Sequence, residues 1–287
     1  YLNIGLRYEH ISSEHSYSNF FPNISLATQI GKFQTQLSYT TKIKRPFYNQ
    51  LSSNMRYMNR FTYMSGNPDL KPETIHDLTL SGSYKWLQFM ISYQREKDAI
   101  LYITEQYEKN PAITTVTHRN FNRIDNFSAF LTASPAVGSW HPQLTVGVQK
   151  QWAKIEHNGE TLQMDPPLFF CTLNNGIQLP YHWTLSTDIN FQSKGDYQNI
   201  YMYQNVFMMN ATLTKSFLNE HLSIHLQGID LTHGRKDGNR IYNKHMNMDV
   251  ANVSDSRELR FTIRYKFNTA KSKYKGKGAA AEEIKRL

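Results

Sequence analysis

SGNPDLKPETIHDLTLSGSYKWLQFMISYQ, Ser65 to Gln94, opens as a polar loop punctuated by Pro68 and Pro72 and becomes two runs in which every second residue is apolar or aromatic. In the first run Leu78, Leu80 and Tyr84 share a face with Gly82, opposite Thr79, Ser81 and Ser83. In the second, Leu87, Phe89, Ile91 and Tyr93 oppose Gln88, Ser92 and Gln94, with Met90 the one apolar intruder. A period of two is the mark of strands with unlike faces. A soluble sandwich alternates in the same way, so the solvent of the apolar face is decided by the rest of the chain.

Similar runs recur from end to end: 1–11, 24–30, 33–43, 78–84, 87–94, 113–133, 144–152, 168–179, 183–191, 207–217, 222–231 and 259–267, twelve strands in all. The spacers fall into two classes. QIGK, SYKW, SPAVGSWHP, LPYHW and LNEH are short, whereas 10–23, 44–73, 96–112, 154–167, 193–204 and 232–256 are long, and the two kinds alternate. Tight turns at one end and long loops at the other describe an outer-membrane barrel, whose short turns are periplasmic and long loops extracellular. Sandwiches use Greek-key connections and rarely keep that order. Strands of about ten residues at ~3.3 Å each, tilted by roughly 40°, rise about 25 Å, the height of the apolar band on such barrels. Trp86, Trp140 and Trp183 sit at or beside short turns, as an interfacial aromatic girdle requires.

Composition is compatible with this reading. The chain has 287 residues, 39% of them apolar and 13% aromatic, with a mean hydropathy of -0.59. No run approaches the ~18 apolar residues of a spanning helix, but polar lumen-facing residues dilute the hydropathy of every barrel strand. The single cysteine, Cys171, forms no internal disulfide and reads as a buried or lipid-facing residue. Of the formal charge of +9, the stretch after Phe267 carries six Lys/Arg against two Glu, a net +4, and the remainder is spread without a stripe. That distribution does not point to nucleic acid as a partner. The chain opens at Tyr1 inside an alternating run, and is read as a fragment whose beginning lies upstream.

TTKIKRPFYNQL, Thr40 to Leu51, followed by YMSGNPDLKPET, Tyr63 to Thr74, resembles the S-x-x-I-x-R-P-x-Y-x-x-L and G-N-P-x-L-K-P-E segments of TonB-dependent receptors, specifically the outer-membrane barrel family abundant in Bacteroidetes. QGIDLT, Gln227 to Thr232, resembles the N-D-I-F-N-T element of that family. RFTIRYKF, Arg260 to Phe267 with Tyr265 near its end, resembles the aromatic-ended last strand that the barrel assembly machinery reads. The resemblance implies an all-β fold: an antiparallel transmembrane β-barrel, of which residues 1–267 supply about twelve meander strands of a larger one, followed by a basic, disordered periplasmic tail at 268–287. It also implies TonB-dependent uptake of a nutrient across the bacterial outer membrane, with no cofactor. The implied partners are outer-membrane lipid and lipopolysaccharide, the assembly machinery, and the TonB complex acting through an N-terminal plug. Receptors of this kind have about twenty-two strands around a plugged lumen, so the energy-coupling parts are not in this sequence. The alternative reading is a complete twelve-stranded barrel acting as a passive channel or adhesin.

No catalytic constellation is present, and no enzyme activity is expected. His221 and His225 have the spacing of a zinc-binding helix pair, but four residues apart on a strand is about 13 Å, too far to share a metal. There is no Gly-rich phosphate loop, G-x-S-x-G or C-x-x-C. The stretch most suited to binding is RPFYNQLSSNMRYMNRFTYM, where Arg45, Arg56 and Arg60 are interleaved with Phe47, Tyr48, Tyr57, Phe61 and Tyr63. Cations and rings together suit an iron chelate, a peptide or a glycan, which makes Arg45, Tyr48, Arg56, Tyr57, Arg60 and Tyr63 the candidate contacts. The competing reading is that the rings brace the loop and the arginines meet lipopolysaccharide phosphates.

Overall fold

The computed structural model describes residues 1–11, 17–107, 109–157, 159–242 and 247–267. The basic tail from 268 onward lies outside the described residues. In chain order the elements are β1 (Leu2–Ile11), β2 (Tyr17–Ile30), β3 (Phe33–Lys44), α1 (Tyr48–Leu51), β4 (Arg56–Asn59), β5 (Thr62–Met64), β6 (Glu73–Tyr84), β7 (Leu87–Tyr107), β8 (Asn110–Ala133) and β9 (Trp140–His157). They continue with β10 (Glu160–Met164), β11 (Leu168–Leu179), β12 (Trp183–Gln192), β13 (Gly195–Tyr197), β14 (Ile200–Met202), β15 (Val206–Phe217), β16 (Leu222–Ile229), β17 (Lys236–Tyr242), β18 (Asn247–Val253) and β19 (Glu258–Tyr265).

Twelve of these form one meander, β1-β2-β3-β6-β7-β8-β9-β11-β12-β15-β16-β19, each hydrogen-bonded to the next and antiparallel to it. They are the twelve strands read from the alternation. Tight turns join them at one end, helped by left-handed backbone at Gly31 (φ 60°) and Lys85 (φ 53°). The other end carries the long connections. The path stops at β1 and β19, which do not pair with each other, so the sheet is a partial barrel with two unpaired edges.

Directly paired residues share a face, and the register shows what each face is made of. One ladder runs Leu26, Leu37, Leu80, Ile91, Ala129, Val148, Phe169 from β2 to β11. A second continues the same face as Phe89, Leu131, Val146, Cys171, Phe191, Phe207 from β7 to β15. The opposite face reads Gln34, Ser83, Gln88, Thr132, Thr145, Thr172, Asn190. The apolar face is uncovered: Leu26 is 53% exposed, Leu37 45% and Ile91 40%. Such a surface over twelve strands is incompatible with water and suits hydrocarbon. At its lower margin Lys215 lies over the rings of Trp183 and Phe217, 5.0 and 5.4 Å from their centroids, and bonds the Tyr181 carbonyl. That is an interfacial lysine reaching back to the turn.

The expected loop lengths need correction. Most of the stretches at 10–23, 96–112, 154–167, 193–204 and 232–256 are ladder rather than loop, because β7 and β8 extend to 21 and 24 residues and the later connections form the hairpins β9–β10, β13–β14 and β17–β18. Beyond the membrane a hairpin no longer needs one apolar face. The period-two signal therefore fades while the backbone pairing continues. The packed hydrophobic core sits here, above the apolar band: Ala99, Leu101, Ile124, Ala153, Ile155 and Met164 form one buried cluster. Asp98 makes the crossover with φ 56°; below it the odd residues Ile91, Tyr93, Arg95 and Lys97 are exposed, above it Ala99, Leu101 and Ile103 are buried.

Candidate functional site

The long-hairpin end is tied together by the G-N-P-x-L-K-P-E segment. Gly66 sits against the backbone of the α1 turn, where an added Cβ would lie 2.5 Å from the Gln50 carbonyl oxygen, and its N–H donates to Ser52 at 2.8 Å. Asn67 uses its side chain twice, accepting from the Asp69 N–H at 2.9 Å and donating to the His118 carbonyl on β8 at 3.1 Å. Lys71 N–H donates to Asn120 Oδ1, and Asn120 Nδ2 returns bonds to the carbonyls of Lys71 and Asp98. Glu73, 2% exposed, accepts from Lys44 and from the Ile100 N–H. The side chains of Asn67, Glu73 and Asn120 thus supply backbone partners that an irregular chain cannot supply for itself. Its visible role is to bracket the 45–72 connection onto the β7–β8 hairpin.

A second clasp centres on Gln198 and Asn199. Gln151, 3% exposed on β9, donates to the Gln198 carbonyl and accepts its N–H, at 2.8 and 2.6 Å. Asn199, 1% exposed, donates to the carbonyls of Tyr102 on β7 and Tyr242 on β17. Three connections distant in sequence meet at this turn. Asp230 does the corresponding work for the last connection: it accepts from Gly234 and Arg235 N–H and from Ser256 Oγ. Burial opposes its ionisation, yet those donors prevail and hold its carboxyl below the usual carboxylate range.

Between these hairpins lies a cleft of about 640 Å³ lined by Met164, Phe191, Lys194, Asp196, Tyr201 and Tyr242 among others. Its size and apolar lining with a few polar groups suit a small ligand. Burial, with Asp165 adding repulsion, pushes the Asp196 carboxyl up to about 6. A second concavity, about 710 Å³, lies near the tight-turn end and is lined by Gln34, Gln36, Ser83, Gln88 and Thr132 of the polar face. That chemistry suits a hydrated lumen.

The six contacts expected from sequence are not gathered into one cluster. Arg45 pairs with Glu9 on β1, and Tyr48 on α1 is 94% exposed. The other four stand on the β4–β5 hairpin, which runs parallel to β8 through β5. There Tyr63 packs on Tyr57 and Tyr107, with ring centroids 6.1 and 5.5 Å apart, Arg56 reaches Met58, and Arg60 lies over its neighbour Phe61 at 4.7 Å. Two tyrosines are thus engaged in bracing and Arg45 is held by Glu9, while Tyr48, Arg56 and Arg60 are exposed. Sequence reasoning missed Asp196, Tyr201 and Tyr242, because the cleft is assembled from three separate connections and no local pattern announces it; it missed Asn199 because its partners Tyr102 and Tyr242 are distant in sequence. His225 bonds Thr214 and Ser223.

Comparison with known proteins places this architecture. No curated protein matches the chain. Among solved structures it is similar to the siderophore receptor PirA from Pseudomonas aeruginosa, at 16% identity and a TM-score of 0.54, over 82% of this chain and 42% of that one. It is similar to the outer membrane transporter YddB from Escherichia coli, at 12% and 0.52, over 86% and 40%. It is also similar to the siderophore receptor PiuA from Acinetobacter baumannii, at 12% and 0.56, over 92% and 40%. The chain therefore spans about two fifths of the length of these structures, with their fold. The model of the outer membrane protein beta-barrel family matches residues 2–265, and with its lipid-suited face and meander order the chain belongs to that family and to the bacterial outer membrane.

Proposed function

We propose that this chain is part of a TonB-dependent receptor that imports a scarce nutrient, captured outside the cell at the long-hairpin end. The observation that carries the reading is the pair of unpaired edges. A complete twelve-stranded channel would need β1 bonded to β19, whereas β19 is exposed along its whole length and the path ends at both strands. An open edge in hydrocarbon leaves N–H and C=O groups without partner, at several kcal/mol each. Further strands must complete the wall, and the resulting barrel would be of the size of the siderophore receptors and outer-membrane transporter that the chain resembles over two fifths of their length. Energy coupling would then come from a plug domain in the lumen. The substrate class that fits the cleft and the cation-and-ring surface is a small chelate, peptide or glycan, and no catalytic step is assigned.

The test is uptake in cells carrying the full-length protein, with a labelled ferric chelate, oligopeptide and oligosaccharide offered in turn. Accumulation of one of them that disappears in a strain lacking TonB is the expected result. Entry of all three according to size, with or without TonB, would establish a passive channel instead.

A further inference from the structure

Three successive rows of the outward face change character as the wall leaves the hydrocarbon. The first row is Tyr39, Leu78, Tyr93, Phe127, Lys150; the next is Thr41, His76, Arg95, Asp125, Trp152; the third contains Thr74, Lys97 and Arg123. Lys154 follows Trp152 on the same face of β9 and is exposed. Four cations, Arg95, Lys97, Arg123 and Lys154, thus stand on the lipid side of three neighbouring strands above the aromatic row, with Lys150 at the β9 end of that row.

Asp125 shapes this patch from beneath. Its side chain is only 10% exposed, while those of Arg95 and Arg123 are 45% and 54% exposed. Arg95 Nε donates to Asp125 Oδ1 at 2.8 Å, Arg123 Nε to Oδ2, and Tyr93 Oη to Oδ1 at 2.8 Å. One carboxylate therefore orients two guanidinium groups and leaves much of each turned outward. Lys97 and Arg123 are directly opposite on β7 and β8, an arrangement unfavourable for like charges that the one Asp125 carboxylate, shared with Arg95, offsets only in part. Lys150 lies over the Trp152 ring at 5.5 Å, at the depth where indoles mark the headgroup layer. The nearest outward carboxylate on β9, Glu156, lies beyond Lys154 and away from the membrane.

We propose that Arg95, Lys97 and Arg123, with Lys150 and Lys154 at the flank, bind the phosphorylated headgroup of an outer-leaflet glycolipid. Guanidinium forks suit phosphate oxygens bidentately, and the acyl chains would lie down the ladder of Tyr93, Phe127, Ile91 and Val148. The site rests on the outer-membrane location and not on the uptake reading, so either can fail alone.

The experiment uses the full-length protein extracted from outer membranes in mild detergent, with glycolipid binding followed by native mass spectrometry. The wild type is offered a bisphosphorylated lipid A and the same lipid with both phosphates removed. Retention of the phosphorylated form at least ~10-fold better, a difference of about 1.4 kcal/mol, is expected, and equal retention overturns the proposal. Arg95→Gln/Lys97→Gln/Arg123→Gln should remove that preference, whereas Lys32→Gln/Lys85→Gln at the opposite rim should keep it; the reverse pattern also overturns it. Millimolar inorganic phosphate should not displace the lipid, and full displacement would assign the patch to free phosphate. Should the triple variant fail to assemble, Arg95→Lys/Arg123→Lys retains the charge and should bind with reduced preference, and the wild-type comparison stands by itself.

Discussion

Single residues in this wall are chosen by which face they occupy. Leu80 pairs with Leu37 and Ile91 on the lipid side, and Ser81 pairs with Gln36 and Met90 on the lumen side. Leu80→Arg should cost about 2–4 kcal/mol at mid-height, whereas Ser81→Arg should be mild; folding titrations into lipid vesicles measure both, and equal losses would mean a two-sided soluble core. Gly82 breaks the apolar row, and its reason is packing: a Cβ there would lie 2.5 Å from the Phe89 ring opposite, so the ring takes the space a side chain would fill. Gly147 leaves the same room for Phe130 on the inner face. Asp196 gives a pH-dependent outcome. Its folded value of about 6 stands above its ordinary 3.8, so the folded hairpin retains a proton that the unfolded one releases between about pH 4 and 6. The associated stability is full below pH ~4 and is lost as pH rises through about 6. Asp196→Asn should therefore slow amide exchange in β13 and β14 at pH 7 and make little difference at pH 4; faster exchange at pH 7 would contradict this.

At the scale of elements, the long hairpins are joined by buried amides. Removing the Asn199 side chain leaves the carbonyls of Tyr102 and Tyr242 without that donor, at about 1–3 kcal/mol for unsatisfied buried groups. Asn199→Ala should raise exchange rates in β14 and β17 together, and a change confined to the 198–199 turn would show that the hairpins are independent. The β4–β5 hairpin is the opposite case, since its attachment is the short β5–β8 pairing and the Tyr63 stack. We propose that it contributes Arg56, Tyr57, Arg60 and Tyr63 to the external binding surface, with Arg45 and Tyr48 beside it. Deleting 52–61 in the full-length protein should weaken ligand binding at normal surface expression. Unchanged affinity would remove the hairpin from the site, and lost expression would assign it a structural role. The strands were legible in the sequence wherever one face meets lipid and the other water, as at 78–94. The hairpin extensions were not: in the upper part of β7, residues 99–104 are buried with only Tyr102 exposed, so no alternation marks the strand.

For the whole molecule the governing fact is that an antiparallel wall with two free edges cannot rest in a bilayer. The chain refolded alone into vesicles should not give the compact, heat-modifiable band of a closed barrel on unheated gels, while the full-length protein should. A compact monomeric band from this chain alone would mean that β1 and β19 meet and that twelve strands suffice.

The sequence by itself determined the strand order, the lipid and lumen faces and the side on which the long connections lie, because alternation and turn residues are local and one lipid face leaves them no competing pattern. The 65–74 segment was legible as a proline-punctuated turn and strand entry, but its bonds to His118 and Ile100 were not, since those partners lie tens of residues away. Only the tertiary structure decided how far β7 and β8 rise, that Asp98 reverses their faces, that Asn199 gathers three connections, and that Arg95, Lys97 and Arg123 share one outward patch. Those facts depend on register between strands and on contacts made over tens of residues, and neither leaves a period in the chain that makes it.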